Sequence, residues 1–410
     1  MGDIAIVGAG TAGLQLALLL QRNGAEPTLY AERSADEVRS GRLSNTVIHN
    51  YRTRAREQRL GVNHWDETGL DINGHWHYIP GEQPLSFPGY FEKPSLGVDY
   101  RIYQSALLED FENRGGRVVY GAVSVDDAGS LGAKHDLLVV CTGRGGFGNL
   151  FPPIAGRSPF SSPARLLSAG IYSGVSHDSD THYVTLSLAP PHGEFIEAPT
   201  QTFGGNASIV LFECIPGGDF EVIARTPYAD DPQAHDRHVL EFIRIYNPAI
   251  YERIDTRAFG VLRPQDVLQG AVTPTVRQSH AQLDGGTYAI ALGDAHVTID
   301  PVCGLGANAA SAAAFILGEA ILEAASFDEE FCRAVDERRL PRILGSFDFT
   351  NFMLNPKPHL FDVVGAMSRS LALANDFTEG FTEPERQWRN MASAEAAGAY
   401  LRTFEAAEQS

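Results

Sequence analysis

Gly8-Ala9-Gly10-Thr11-Ala12-Gly13 lies between a short apolar run, Asp3–Val7 (DIAIV), and a helical stretch, Thr11–Asn23 (TAGLQLALLLQRN), that stops at Gly24. A GxGxxG placed after a strand and opening a helix is a turn built to receive a pyrophosphate. Gly8 permits the tight turn, Gly10 lets the backbone approach the diphosphate, and Gly13 lets the helix pack closely on the strand. Thr11 and Ala12 open that helix, whose N-terminal N–H groups then face the negative charge. Pro27–Tyr30 reads as a second strand, and Glu32 beyond it stands where an acidic side chain holds ribose hydroxyls. The chain therefore opens as the strand–helix–strand unit of a nucleotide-binding α/β fold.

Downstream, Asp99–Arg114 reads as an amphipathic helix and Arg117–Val123 as a strand. Asp136–Cys141 (DLLVVC) is the continuous apolar run of a strand buried on both faces. The pattern changes after the Gly-rich stretch Thr142–Gly148 and the Pro-containing segment Phe151–Pro163. From about Arg165 to Thr226, SAGIYSGV, HYVTLSLA, GEFIEAPTQTF, ASIVLFECI and FEVIART follow one another between Pro, Gly and Asn residues, which predicts an antiparallel sheet. Asp236–Tyr246 reads as a helix, and Thr287–Leu292 (TYAIAL) returns to the buried-strand pattern. An Ala-rich helix is predicted from about Gly306 to Ala325, and beyond Glu329 helices broken at Pro341, Pro356, Pro358 and Pro384. The expected plan is a nucleotide-binding domain over 1–160, including part of the active-site region at 42–100, and an antiparallel-sheet substrate domain over 161–270. The nucleotide-binding domain returns over 271–330, and a helical region fills 331–410.

Composition narrows the function. With 410 residues, 43% apolar and 20% charged, the chain is an ordinary globular protein large enough for two domains. A formal net charge of −19 argues against nucleic acid and against anionic membrane surfaces as partners. Arg52–Arg59 (RTRAREQR) is a basic run, read as a solvated helix face. The four cysteines, Cys141, Cys214, Cys303 and Cys332, form no CxxC pair, which suits a reducing cytoplasm better than a zinc site or a disulfide framework. No secretory leader or membrane-spanning run is read, so a cytoplasmic protein is the expectation. His75 and His77 (HWH) have metal-like spacing but no acidic or cysteine partner nearby, so no metal is expected.

A second motif separates FAD from NAD. Leu292-Gly293-Asp294-Ala295 closes a buried strand, and Pro301-Val302-Cys303-Gly304-Leu305-Gly306-Ala307-Asn308 leads into the Ala-rich helix. Asp294 can accept from a ribitol hydroxyl, with Gly293 making the turn. The N–H groups after Pro301 point from a helix N-terminus to where a reduced isoalloxazine carries negative charge.

VGAGTAG at the start, RLSNTVIHN at 42–50, KPSLGVDYRIYQ at 93–104, DLLVVCTG at 136–143, LGDAHVTIDPVCGLGAN at 292–308 and FTEPERQWRN at 381–390 keep one fixed order over the whole chain. Through these motifs the sequence resembles the oxygenase component of the two-component styrene monooxygenases, with indole monooxygenases as neighbours and the flavoprotein hydroxylases as wider relatives.

The resemblance implies a glutathione-reductase-type Rossmann FAD domain. It implies that a separate NADH-dependent flavin reductase supplies reduced FAD, which reacts with dioxygen to a flavin hydroperoxide that epoxidises a small apolar aromatic. It leaves indole oxidation or a tailoring epoxidation as the alternative, and a homodimer open as the assembly. The absence of a second dinucleotide fingerprint fits an external reductase. The family's active-site set falls on Asn45, Val47, His49, Ile72, His75 and Ser95, and alternation along NTVIH predicts the first three on one strand face. Ile72 stands where styrene-type members carry Tyr, the aliphatic choice being the indole type. Arg42 and Arg101 are expected at flavin phosphate or ring oxygens, or else in ion pairs, with Leu43 and Gln104 beside them. Cys303 and Leu305 replace Leu and Gln of relatives next to the flavin.

Overall fold

The computed structural model describes residues 2–143, 147, 149–177 and 181–408; most of the Gly-rich stretch Thr142–Gly148 lies outside them. Two large sheets organise the molecule. The first runs, in spatial order, β15 (His280–Gln282), β16 (Tyr288–Ala291), β7 (Leu137–Val140), β1 (Ile4–Val7), β2 (Thr28–Ala31) and β6 (Arg117–Tyr120). All neighbours are parallel except the edge strand β15. β1 and β7 are fully buried, as continuous apolar strands between helical layers require. The helices Thr11–Arg22, Tyr100–Asn113 and Gly306–Glu323 cover one face through a single core of Leu, Ala and Phe side chains.

The second sheet orders β12 (Gly260–Val261), β8 (Leu166–Ser173), β11 (Gly205–Cys214), β10 (Gly193–Thr202), β9 (His182–Ala189), β4 (Ile72–Ile79), β5 (Leu85–Asp99) and β3 (Thr46–His49), with β13 (Val267–Ala271) also on β8. It is wider than the expected insertion over 161–270, since it recruits β3–β5 from residues 46–99. Nor is it purely antiparallel, because β4 and β9 run parallel. A small pair, β14 (Thr275–Val276) with β17 (Val297–Thr298), bridges towards the first sheet.

Two predicted elements change type. FEVIART is a short helix, Glu221–Arg225, not a strand, with Phe220 and Ile223 three residues apart packing on Phe195 and Phe212. Pro341 lies inside the unbroken helix Glu329–Leu354. A Pro in a helix interior costs roughly 3 kcal/mol, which burial of this helix against the Ala-rich helix and Pro384–Met391 offsets. Pro358 and Pro384 do open new helices, at the first turn where their missing N–H is harmless. The basic run forms the helix Tyr51–Leu60, capped by Asn50. It is no simple solvated face: Arg54 pairs with Asp66 and Asp71, and Arg56 packs against Ser311 and Thr53.

Candidate active site

The glycine turn is shaped by steric necessity. Gly8 has φ +109°, and a Cβ there would lie 2.6 Å from the carbonyl oxygen of Cys141. A Cβ on Gly13 would sit 1.9 Å from the Gly8 oxygen. The helix that follows starts with no side-chain cap and no acidic residue in its first turn, and the same holds for Gly306–Glu323. The helices at Ser34, Asn50, Asp231 and Asp328 are side-chain capped. These two N-termini both open into one groove, where their positive dipole ends face any ligand bound there.

That groove runs from an outer end lined by Gly8, Gly10, Glu32, Arg33 and Gln104 to an inner end lined by Asn45, Thr46, Val47, Gly293, Asp294, Pro301, Gly304, Gly306 and Ala307. Gly10, Ser44, Tyr100, Cys141 and Gly143 line both halves. Gln104 donates to the Ala9 carbonyl at 2.7 Å, bracing the turn. Tyr100, which sequence reading passed over, holds its hydroxyl 3.0 Å from the Thr11 nitrogen. Its sequence signals were its place at the start of a predicted helix and inside the motif KPSLGVDYRIYQ.

Beyond Pro301 the groove meets a cavity of about 80 Å³, several times the roughly 10–15 Å³ that one water occupies. Thr46, Leu211, Pro301 and Gly304 line both. Val184, Leu186, Ile196, Ile209, Phe91 and Phe381 stand in its wall, and no ionised side chain lines it among the described residues. His75 and Ser95 face it from β4 and β5. His75 meets Phe381 edge-on, with ring centroids 4.6 Å apart, and Phe91 at 5.0 Å. Burial, reinforced by His77, pushes the His75 pKa well below the usual imidazole value, and its Nδ1 has no protein partner. The imidazole is therefore a neutral polar handle in an apolar chamber.

The other expected site residues divide between the groove, the cavity and the interior. The strand β3 turns Thr46 and Ile48, not Val47 and His49, to the cavity. Val47 lines the groove with Asn45, while His49 is sealed in the core with its Nδ1 2.8 Å from Glu57 and its ring against Tyr103. Ile72 is fully buried behind the wall, clustered with Val184 and Ala198. Arg101 is locked between Asp99 and Asp266, both at 2.6 Å, as a buried ion network. Arg42 is exposed, and Leu43 packs with Ile171 and Ala207 while its N–H donates to Gln265. The Asn308 amide is consumed by Ile48, Asn50, Thr53 and Gly304, tying β3 to the loop before the Ala-rich helix. Leu305 turns to the cavity and into a cluster of C-terminal helices.

The sequence is 42% identical to styrene monooxygenase StyA from Pseudomonas sp over 406 residues, and 41% identical to styrene monooxygenase StyA from Pseudomonas fluorescens, each match covering 98% of both chains. The chain belongs to the styrene monooxygenase family. Residues 143–253 match the profile described as "Styrene monooxygenase A putative substrate binding domain". Among solved structures, the fold is similar to the flavin-dependent brominase Bmp2 (TM-score 0.67, 14% identity, 100% and 99% of the two chains). It is also similar to 2-methyl-3-hydroxypyridine-5-carboxylic acid oxygenase (TM-score 0.64, 17% identity, 94% and 96%).

As a styrene monooxygenase relative, the protein is a flavin-dependent monooxygenase with FAD as its cofactor. The residues present fit that cofactor. The glycine turn is one that a Cβ at Gly8 or Gly13 would break, the helices opening at Thr11 and Gly306 start uncapped at the groove, and the groove ends at the apolar cavity. No described helix is long and apolar enough to cross a membrane.

Proposed function

We propose that this protein epoxidises a small vinyl aromatic of the styrene type, using reduced FAD delivered by a separate NADH-dependent flavin reductase and dioxygen. The first sheet and its groove act as the Rossmann-type FAD domain of the glutathione-reductase class. The second sheet serves as the substrate domain inserted into it. FAD, when bound reduced, supplies the activation of dioxygen; the chain supplies placement and dryness. Gly8, Gly10, Gly13 and the helix opening at Thr11 hold the diphosphate, and Glu32 and Asp294 hold ribose and ribitol hydroxyls. The loop Pro301–Gly304 and the N-terminus of the Ala-rich helix hold the ring end.

The observation that carries the substrate class is the cavity itself. An apolar-walled chamber with a neutral imidazole, meeting the groove at Thr46, Leu211, Pro301 and Gly304, suits an uncharged aromatic hydrocarbon. It excludes water from the reaction and holds the double bond against the ring end, which is what oxygen transfer to an alkene requires. Phe91 and Phe381 offer edges and faces to an aryl ring, and His75 and Ser95 orient it. Ile72 favours a second reading, an indole monooxygenase or a tailoring epoxidase, since an aliphatic side chain behind Val184 leaves the wall no phenol to present.

The test is anaerobic mixing with chemically reduced FAD, then an oxygen pulse with styrene or indole. Styrene oxide as main product supports the first reading and indigo the second. Hydrogen peroxide alone with every aromatic offered, or NADH oxidation without added reductase, overturns the proposal.

A further inference from the structure

A group of ionisable side chains lies buried under the loop that joins groove and cavity. Glu213 on β11 and Asp300 just before the loop are both wholly inaccessible, and their carboxyls interact in that dry interior. Neither Glu213 oxygen, nor Asp300 Oδ2, has a protein hydrogen-bond donor. Asp300 Oδ1 accepts the N–H of Val302 at 3.1 Å, within the Pro301–Cys303 turn that lines the cavity. Glu194 stands directly across from Glu213 in the β10–β11 register. Among the described residues Arg165 is the cation facing this group, and its guanidinium is engaged with Glu194 at 2.8 and 3.4 Å. Cys303, facing it from the loop, is kept a neutral thiol by burial.

Two carboxylates are acceptors only, so a contact between them needs a proton in one. The neighbourhood holds three carboxyls and one guanidinium in a dry interior, where a second uncompensated charge is costly.

We propose that Glu213 and Asp300 share one proton, and that this pair is a positioning device for the Pro301–Gly304 loop, keeping one negative charge rather than two behind the ring end of the groove. The proposal rests on the FAD reading of that groove. Glu213 touches neither cofactor nor substrate and acts through Asp300. With the proton in place, Asp300 retains the Val302 N–H and the loop faces an electron-rich reduced ring with a single charge behind it. Burial pushes Glu213 well above the usual carboxylate range and Asp300 up to about 6, in keeping with a pair that titrates as a unit. Loss of the shared proton at higher pH therefore weakens the hold on reduced FAD.

Infrared spectroscopy of the apoprotein against pH tests the proton without any flavin. The wild type is expected to show the carbonyl stretch of a buried protonated carboxylic acid at neutral pH, and Glu213→Gln to lack it. Anaerobic titration with reduced FAD tests the loop. Wild-type affinity should fall by about tenfold from mildly acidic to alkaline pH, the scale of one charge acting across roughly 10 Å of protein. Glu213→Gln should hold the acid-side affinity throughout, because its amide donates to Asp300 without titrating. Should that variant not fold, Asp300→Asn carries the same expectation, its amide donating to Glu213. A missing band in the wild type, or a Glu213→Gln pH profile superimposable on it, overturns the proposal. A titrating band in a protein that binds no reduced FAD upholds the shared proton and overturns the FAD reading instead.

Discussion

The hydroxyl of Tyr100 accepts the backbone N–H of Thr11 at 3.0 Å and lies 3.3 Å from its side-chain oxygen. The first free donor of the glycine-turn helix is thus met by a side chain from the other side of the groove. Tyr100→Phe removes that acceptor and a groove-facing donor. One such hydrogen bond is worth about 0.5–1.5 kcal/mol, so FAD affinity should weaken by about two- to tenfold while KM for the aromatic stays unchanged. Equilibrium FAD titration checks this; tighter binding would show the phenol to be a mere placeholder.

Phe381 forms the cavity wall from the turn between two C-terminal helices and packs on His75, Phe349 and Phe377. Phe381→Leu keeps an apolar wall but loses the ring edges, worth about 0.5–1.5 kcal/mol each. KM for a styrene-sized substrate should rise several-fold, with more hydrogen peroxide released per product and FAD affinity unchanged. Coupled product and peroxide assays separate this from a general loss of fold.

Arg101 neutralises two buried carboxylates. Arg101→Met strands Asp99, while Asp266 keeps Arg263 at 3.0 Å, and breaking a buried pair in this way costs about 3–5 kcal/mol. The melting temperature should fall accordingly, and replacing both aspartates by Asn in the same chain should recover most of it. A variant with unaltered stability but poor FAD binding would restore the direct flavin contact that sequence reading expected of this residue.

His75 and His77 are kept neutral by burial, His77 down to about 4. A histidine whose folded pKa is depressed binds fewer protons than the unfolded chain below pH 6.5, so its contribution to stability is full above that value. It is lost as pH falls from about 6.5 towards 4. Acid unfolding followed by circular dichroism should therefore begin in this window, and His77→Phe, which stacks equally on Phe87, should move the onset to lower pH.

What could be read from the chain follows the range of the interactions involved. Gly8, Gly10 and Gly13 are legible because the turn's sterics are local to six residues. The Ala-rich helix, β7 and β16 are legible because burial on all sides leaves an unbroken apolar pattern. NTVIH misleads for the opposite reason. Alternation predicts two faces but not which one is the core, and Glu57 on the next helix with Tyr103, distant in sequence, claim His49 for the interior. Arg101 shows the same limit, since Asp266 comes from 165 residues away. FEVIART fails because its apolar spacing suits either a strand or one helical turn, and only contact with Phe195 and Phe212 decides.

The groove takes its outer wall from residues 8–12 and its inner wall from 293–310, and β1 and β16 meet only through β7 between them. A chain emerging from the ribosome therefore cannot offer the complete cofactor site until residues 293–310 have followed the glycine turn. Flavin can report on completion: truncations ending before the Ala-rich helix should neither gain FAD nor be protected by it from proteolysis.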